Sequence, residues 1–107
     1  MEEIWIKNNG YKISNYGKVT KKNSDKLQKM SLNKCGYVMC NVVFDDGFKC
    51  SGVHRVIAYA FLRDTYKKGL EVNHIDGNKE NNRVDNLEWV TKSENQKQLK
   101  YLRVVYH

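Results

Sequence analysis

The stretch from Glu71 to Glu94 constrains the fold of this chain more than any other segment. Glu71-Val72-Asn73-His74 reads as a short strand that ends at the histidine. The next run, Asp76-Gly77-Asn78-Lys79-Glu80-Asn81-Asn82-Arg83, is rich in turn formers, and its Asp-Gly step favours a reversal. Leu87 to Val90 reads as the returning strand, with the β-formers Trp89 and Val90. Thr91-Lys92-Ser93-Glu94 matches a capping box, in which Thr91 caps a helix and Glu94 reaches back to it. The helix is expected from about Lys92 to about Leu102. Strand, long loop, strand and helix make a ββα unit. Such a unit brings the end of its first strand against the first turns of its helix, so His74 and Asn95 can face one pocket.

The residues before Glu71 predict a strand-rich region closed by one helix. Ile4 to Val19 holds short strand signals broken by Asn9-Gly10 and Asn15-Tyr16-Gly17. Lys21 to Lys34 is basic and weakly patterned, and is expected to be a loop with a short strand near Leu27. Tyr37 to Phe44 and Phe48 to Ser51 make a hairpin turned at Asp45-Asp46-Gly47. Val53 to Leu62 is a helix that places Val53, Val56, Ile57, Ala60 and Phe61 on one core-facing side. Asp64 to Gly69 is a polar connector. The fold class expected is α+β: a small β-rich N-terminal part with a core helix over residues 1–65, then the ββα unit and tail over 66–107. With 107 residues and no internal repeat, the two parts are expected to form one compact unit. In the tail, Leu102, Val104, Val105 and Tyr106 are expected to end the helix, add a strand or meet a second subunit, which leaves a homodimer open.

Composition narrows the function classes. Hydrophobic residues make up 40% and charged residues 29%, which suits a folded domain and not a disordered one. No apolar run is long enough for a membrane helix, and Met1-Glu2-Glu3-Ile4 lacks the basic start of a signal peptide. The expected location is therefore intracellular, in cytoplasm or nucleoid, with no membrane partner. Abundant Lys and Asn with no Pro suit an AT-rich phage, viral or bacterial genome. The net charge is +7, and its distribution says more than its sum. Residues 1–36 carry eight lysines against Glu2, Glu3 and Asp25. Lys18, Lys21, Lys22, Lys26, Lys29 and Lys34 fit a phosphate-contacting surface; the competing reading is a solvated lysine-rich loop. Lysine in place of arginine suits backbone contact better than base reading. Cys35, Cys40, Cys50 and His54 can be drawn as a zinc site, but the closely spaced cysteine pairs of such sites are missing. Cys40 alternates in phase with Val38, Val42 and Phe44, which makes it a core residue.

The chemistry points to phosphodiester hydrolysis. Asn86 follows His74 by twelve residues and Asn95 follows Asn86 by nine. A histidine held near amide oxygens can activate water beside a divalent metal that grips a phosphodiester. Four segments carry a resemblance: Val53-His54-Arg55-Val56-Ile57-Ala58-Tyr59-Ala60-Phe61, Glu71 to Asn78, Asn81 to Thr91, and Ser93-Glu94-Asn95. Together they resemble the HNH endonuclease family, in its branch of phage intron-encoded homing and nicking enzymes. Tyr11-Lys12-Ile13-Ser14-Asn15-Tyr16-Gly17-Lys18-Val19 is similar to the small DNA-binding module that often precedes these nuclease units.

The resemblance implies a ββα-metal fold for the second unit, with His74 as general base and Asn95 as a ligand for Mg²⁺ or Mn²⁺. Asn86 is implied to brace the loop without doing chemistry. Asn73 falls where the family often has an acidic metal ligand, and a neutral amide there weakens metal binding until a phosphate supplies charge. Asp76 is read as a turn residue before a ligand, and His54 as a helix-entry hydrogen-bonder. Arg83, Arg55 and Lys79 join Lys18, Lys21, Lys22 and Lys26 as expected contacts to double-stranded DNA; the planar, permanently charged fork of Arg83 suits phosphate. The implied activity is nicking or cleavage of duplex DNA to 5′-phosphate and 3′-hydroxyl ends. A DNA-binding module with a lapsed site, or a protein-binding inhibitor on the same scaffold, are the alternatives. With so few residues after Asn95, sequence specificity is expected to be low or to come from dimerisation or a partner.

Overall fold

The computed structural model describes residues 1–95. Seven strands and one α-helix are set out in the order β1 (Trp5–Asn8), β2 (Tyr11–Ser14), β3 (Ser31–Leu32), β4 (Val38–Val43), β5 (Lys49–Gly52), α1 (Val53–Phe61), β6 (Glu71–His74) and β7 (Leu87–Val90). They form three small antiparallel sheets, β1-β2, β3-β4-β5 and β6-β7. Residues 92–95 are helical, which completes the α+β character and the ββα order of the second unit. The rest of the expected helix and the tail lie outside the described residues.

Local rules account for most of these elements. Asn9 and Gly10 form the two-residue loop of the first hairpin with φ of 48° and 83°. A two-residue hairpin turn of this kind needs left-handed backbone at both positions, which Asn and Gly tolerate best. The second hairpin turns over Phe44 to Phe48, where Phe44 N–H donates to Phe48 O at 2.9 Å and Gly47 N–H to Phe44 O at 2.9 Å. Along β4, Cys40 and Val42 are buried while Asn41 and Val43 are exposed. Cys40 and Cys50 lie in the core, where burial pushes their thiols up to about 12 and about 11. They pack as core groups, and among the described residues no three His, Cys, Asp or Glu side chains gather as the zinc drawing requires.

Helix α1 is the hub of the core. Val53, Val56 and Ile57 are buried as expected, but so are Ala58 and Tyr59, whereas Ala60 and Phe61 are only partly covered. The buried face is wider than the periodicity suggests because Tyr59 is clamped by aromatic neighbours. Its ring stacks on Phe48 at 4.0 Å and meets Tyr66 edge-on at 5.4 Å. Ile13 and Val19 from the N-terminal region, Phe44 from the second hairpin turn, and Val72 and Leu87 from the last hairpin join the same cluster. Trp89 Nε1–H donates to Leu62 O at 3.0 Å and ties β7 to the end of α1. The Lys21–Lys34 segment contains the two-residue strand β3, with a further bridge at Leu27 to Thr20.

Candidate active site

Strand β6 ends at His74, which pairs in register with Leu87 of β7. The residue is only 6% exposed. Its Nε2 lies 2.7 Å from Asn82 Oδ1. An amide oxygen can only accept, so Nε2 carries the proton and the Nδ1 lone pair remains free to take another. Burial holds the His74 pKa below the usual histidine value, and the Asn82 bond opposes that shift. Two further rings pack beside it. His54, at the start of α1, stacks on Tyr37 at 4.8 Å and lies 5.3 Å from the His74 ring. His54 Nδ1 is buried with no hydrogen-bond partner among the described residues. Burial first, then the neighbouring His74, bring its pKa down to about 4, so His54 is neutral at physiological pH.

The loop between β6 and β7 is held from inside. Asn86 Nδ2 donates to Asp76 Oδ1 and to Asn81 O, both at 2.9 Å, and its Oδ1 accepts from Asp76 N–H at 3.0 Å. Asn81 Nδ2 donates to Asp76 Oδ2 at 2.9 Å. Asp76 therefore spends its carboxylate on the loop, and these bonds, Asn81 first, lower its pKa. A single 3-10 turn, Val84–Asn86, leads into β7. The N-terminal region abuts this loop: Val84 N–H donates to Asn15 O at 2.9 Å. Gly17, at φ 91°, comes so close that a Cβ there would sit 3.1 Å from Asn82 O. The loop that carries the histidine's partner thus rests on the Asn15-Tyr16-Gly17 turn.

Two amides complete the centre. Asn73 is 6% exposed and its Nδ2 donates to Glu88 Oε1 at 2.9 Å. Asn95 Nδ2 donates to Glu71 Oε2 at 2.9 Å. No described residue donates to either Oδ1. Asn73, His74 and Asn95 line one small cavity of about 30 Å³, together with Tyr37, Gly77 and Lys79. A wider groove of about 490 Å³, bordered by Tyr37, His54, Arg55, Glu71, Lys92 and Asn95, shares Tyr37, Val72 and Asn95 with that cavity. Among the described residues, no three His, Cys, Asp or Glu side chains gather so as to hold a metal ion. The oxygens available there are the two amide Oδ1 atoms, which have no partner among the described residues; such oxygens suit a hard, oxygen-seeking cation but supply no charge of their own.

The basic residues divide into bound and unbound. Lys18 pairs with Glu3 at 3.4 Å. Lys79 donates to Cys35 O at 2.7 Å and sits 4.8 Å above the Tyr37 ring. Arg83 lies 4.3 Å from the Tyr16 ring centre and 3.7 Å from Asp85, which leaves it partly exposed at the junction of the two regions. Arg55 is exposed at the groove. Lys21, Lys22 and Lys26 are exposed, and Lys21, Lys22 and Lys29 border a shallow groove of about 300 Å³ with Tyr11, Gln28 and Asn41. Sequence reasoning brought His74, Asn73 and Asn95 together but missed Asn82, Glu71, Glu88 and Tyr37. The only signal for Glu71 was its place two residues before Asn73, on the same face of a strand.

This is a ββα centre built around a histidine and asparagines. Residues 51–97 match the model of the HNH endonuclease family. It is 42% identical over 85 residues to an uncharacterized HNH endonuclease of Acanthamoeba polyphaga mimivirus, covering 79% of this chain and 25% of that protein. It is 40% identical over 85 residues to DNA endonuclease I-HmuI of Bacillus phage SP01, covering 79% of this chain and 48% of that one. The solved structure titled "DNA binding and cleavage by the HNH homing endonuclease I-HmuI" superposes with a TM-score of 0.72 at 37% identity, over 94% of this chain and 59% of that chain. The chain spans about a quarter to a half of the length of these curated relatives.

Proposed function

We propose that this chain is the nuclease-bearing part of a metal-dependent DNA endonuclease that nicks or cuts duplex DNA. The observation that carries the reading is the His74 imidazole, held by Asn82 through Nε2 at a cavity that His74 lines with Asn73 and Asn95; Nδ1 is the nitrogen then left to act as base. I-HmuI, to which the chain is similar in sequence and fold, is by title a DNA-binding and DNA-cleaving enzyme. His74 Nδ1 takes a proton from water, the water oxygen bonds to phosphorus, the bond from phosphorus to the 3′ oxygen breaks, and that oxygen takes up a proton from solvent water. The products are 5′-phosphate and 3′-hydroxyl ends. Asn95 and Asn73 would hold a divalent ion, Mg²⁺ or Mn²⁺, through their Oδ1 atoms; when bound it supplies positive charge against the phosphate and the departing oxygen. Asn86 and Asp76 keep the loop rigid so that Asn82 holds the imidazole. Arg55 at the groove and Arg83 at the junction bind phosphates, while Lys18, Lys21, Lys22, Lys26 and Lys79 contribute the wider electrostatic surface. Residues 1–65 serve mainly as the DNA-contacting part and 66–107 as the nuclease unit, in one compact body.

Supercoiled plasmid incubated with and without Mg²⁺ or Mn²⁺ tests the reading. Nicking that needs the ion, and falls roughly a hundredfold or more in His74→Ala with DNA binding kept, is the expected result. DNA binding without nicking under every ion would identify a lapsed nuclease that survives as a binding module, the reading that the neutral Asn73 favours. Neither binding nor nicking would leave a scaffold that engages protein.

A further inference from the structure

A hard cation prefers charged oxygen donors, yet Asn73 and Asn95 are neutral. Both amides nevertheless rest on carboxylates. Asn73 and Glu88 are direct cross-strand partners in the β6-β7 ladder, and the amide donates to Glu88 Oε1 at 2.9 Å. Asn95 reaches back from the following helix and donates to Glu71 Oε2 at 2.9 Å. An amide is a planar fork with the oxygen on one prong and NH₂ on the other. Pinning the NH₂ therefore fixes where the oxygen points. A carboxylate one hydrogen bond away also polarises the amide and strengthens its oxygen as a donor to a cation.

We propose that Glu71 and Glu88 are positioning residues of the metal site: each holds one asparagine with its oxygen free, and the pair supplies the negative charge that the asparagines lack. The idea rests on the nuclease reading given above. It predicts that the carboxylate charge matters, and not merely an acceptor for a buried amide. Glu88→Gln and Glu71→Gln keep an acceptor oxygen and remove the charge. Glu88→Ala removes both. The pair Asn73→Asp with Glu88→Gln exchanges donor and acceptor across the same bond and moves the charge onto the ligand itself.

The test is Mn²⁺ binding to the whole protein, followed by electron paramagnetic resonance, beside the Mn²⁺ concentration that gives half-maximal plasmid nicking. Each single Glu→Gln should weaken Mn²⁺ binding roughly tenfold, the usual scale for partners that orient metal ligands. The Mn²⁺ concentration for half-maximal nicking should rise in step with the weaker binding, and thermal unfolding should report an intact fold. The double variant should recover the wild-type affinity or exceed it. Unchanged Mn²⁺ affinity in both Glu→Gln variants overturns the proposal, as does a double variant no better than Glu88→Gln alone. His74→Ala in the same nicking assay separates the two levels. Nicking that survives it sinks the nuclease reading itself. Loss of nicking in His74→Ala, with Mn²⁺ affinity indifferent to both glutamates, sinks only the role of Glu71 and Glu88.

Discussion

Replace Asn82 by alanine and the buried Nε2–H of His74 loses the acceptor that lies 2.7 Å away. His74 and Asn82 are both 6% exposed, so bulk water does not readily take over that bond. Two effects follow. An unpaired buried donor destabilises the fold by about 1–3 kcal/mol. The imidazole also loses what selects its orientation; a bond of about 1.4 kcal/mol corresponds to a tenfold preference, so single-turnover nicking should fall roughly tenfold. DNA affinity should not change, since no phosphate contact is touched. Asn82→Asp keeps an acceptor and adds charge, with the opposite electrical effect. The Asn82 bond now raises the His74 pKa against the larger lowering by burial. A carboxylate in its place favours the imidazolium more strongly. The base works unprotonated, so the rate climbs as pH rises through the His74 pKa and then levels. In Asn82→Asp that climb moves to higher pH; in Asn82→Ala it moves to lower pH and the plateau drops. Nicking rates for the three proteins across pH, at saturating metal, give both readouts. Equal plateaus for wild type and Asn82→Ala would refute the claim that this bond sets the base.

Lys21, Lys22 and Lys26 changed together to Gln should weaken DNA binding across all sequences and flatten its salt dependence by about one unit of slope per lost contact; an unchanged slope in a salt titration would show that this surface faces solvent only. His54 should make the fold acid-sensitive: its folded pKa of about 4 lies below the usual 6.5, so the unfolded chain binds the extra proton between those values. Its contribution to stability is complete above about pH 6.5 and is lost as pH falls toward about 4, a total near 3 kcal/mol. Urea unfolding at a series of pH values should show that loss in the wild type and much less of it in His54→Leu, and two parallel curves would argue against it. Asn73→Asp should lower the Mg²⁺ concentration for half-maximal nicking and also lower metal-free stability, because the new carboxylate would face Glu88. A metal curve that stays in place would show that Asn73 is not a ligand.

How much of this was legible in the sequence follows from the range of the rules involved. Both strands of the last hairpin, the Asn9-Gly10 turn, helix α1 and the Thr91 cap are written locally, in turn formers, alternation and capping residues. The cap differs in one detail: Glu94 N–H donates to Thr91 Oγ1 at 3.1 Å, and the Glu94 carboxylate meets that hydroxyl rather than the Thr91 backbone. The partners of the site residues are not local. Asn82 lies in a run that reads only as turn, and nothing in its neighbours marks it as the group that faces His74. Tyr59 is buried by three aromatics from two separate segments, the second hairpin turn and Tyr66, which helix periodicity cannot anticipate.

Register is the deeper reason. Alternation says which residues of β6 and β7 share a face, but a slip of two residues preserves every face and changes every partner. In the observed register Asn73 sits opposite Glu88 and His74 opposite Leu87. A slip of two would take Glu88 away from Asn73 and leave a buried amide without its acceptor. The strands themselves do not choose between these pairings; the loop does. Asn86 binds Asp76 twice at the point where the hairpin closes, and Ile75 N–H donates to Asn86 O at 2.8 Å, just beyond the His74–Leu87 pair. Those bonds can form in one register only. Asn86 thus reaches the chemistry without touching it: its bonds fix the register, the register gives Asn73 its carboxylate, and the carboxylate sets where the Asn73 oxygen points.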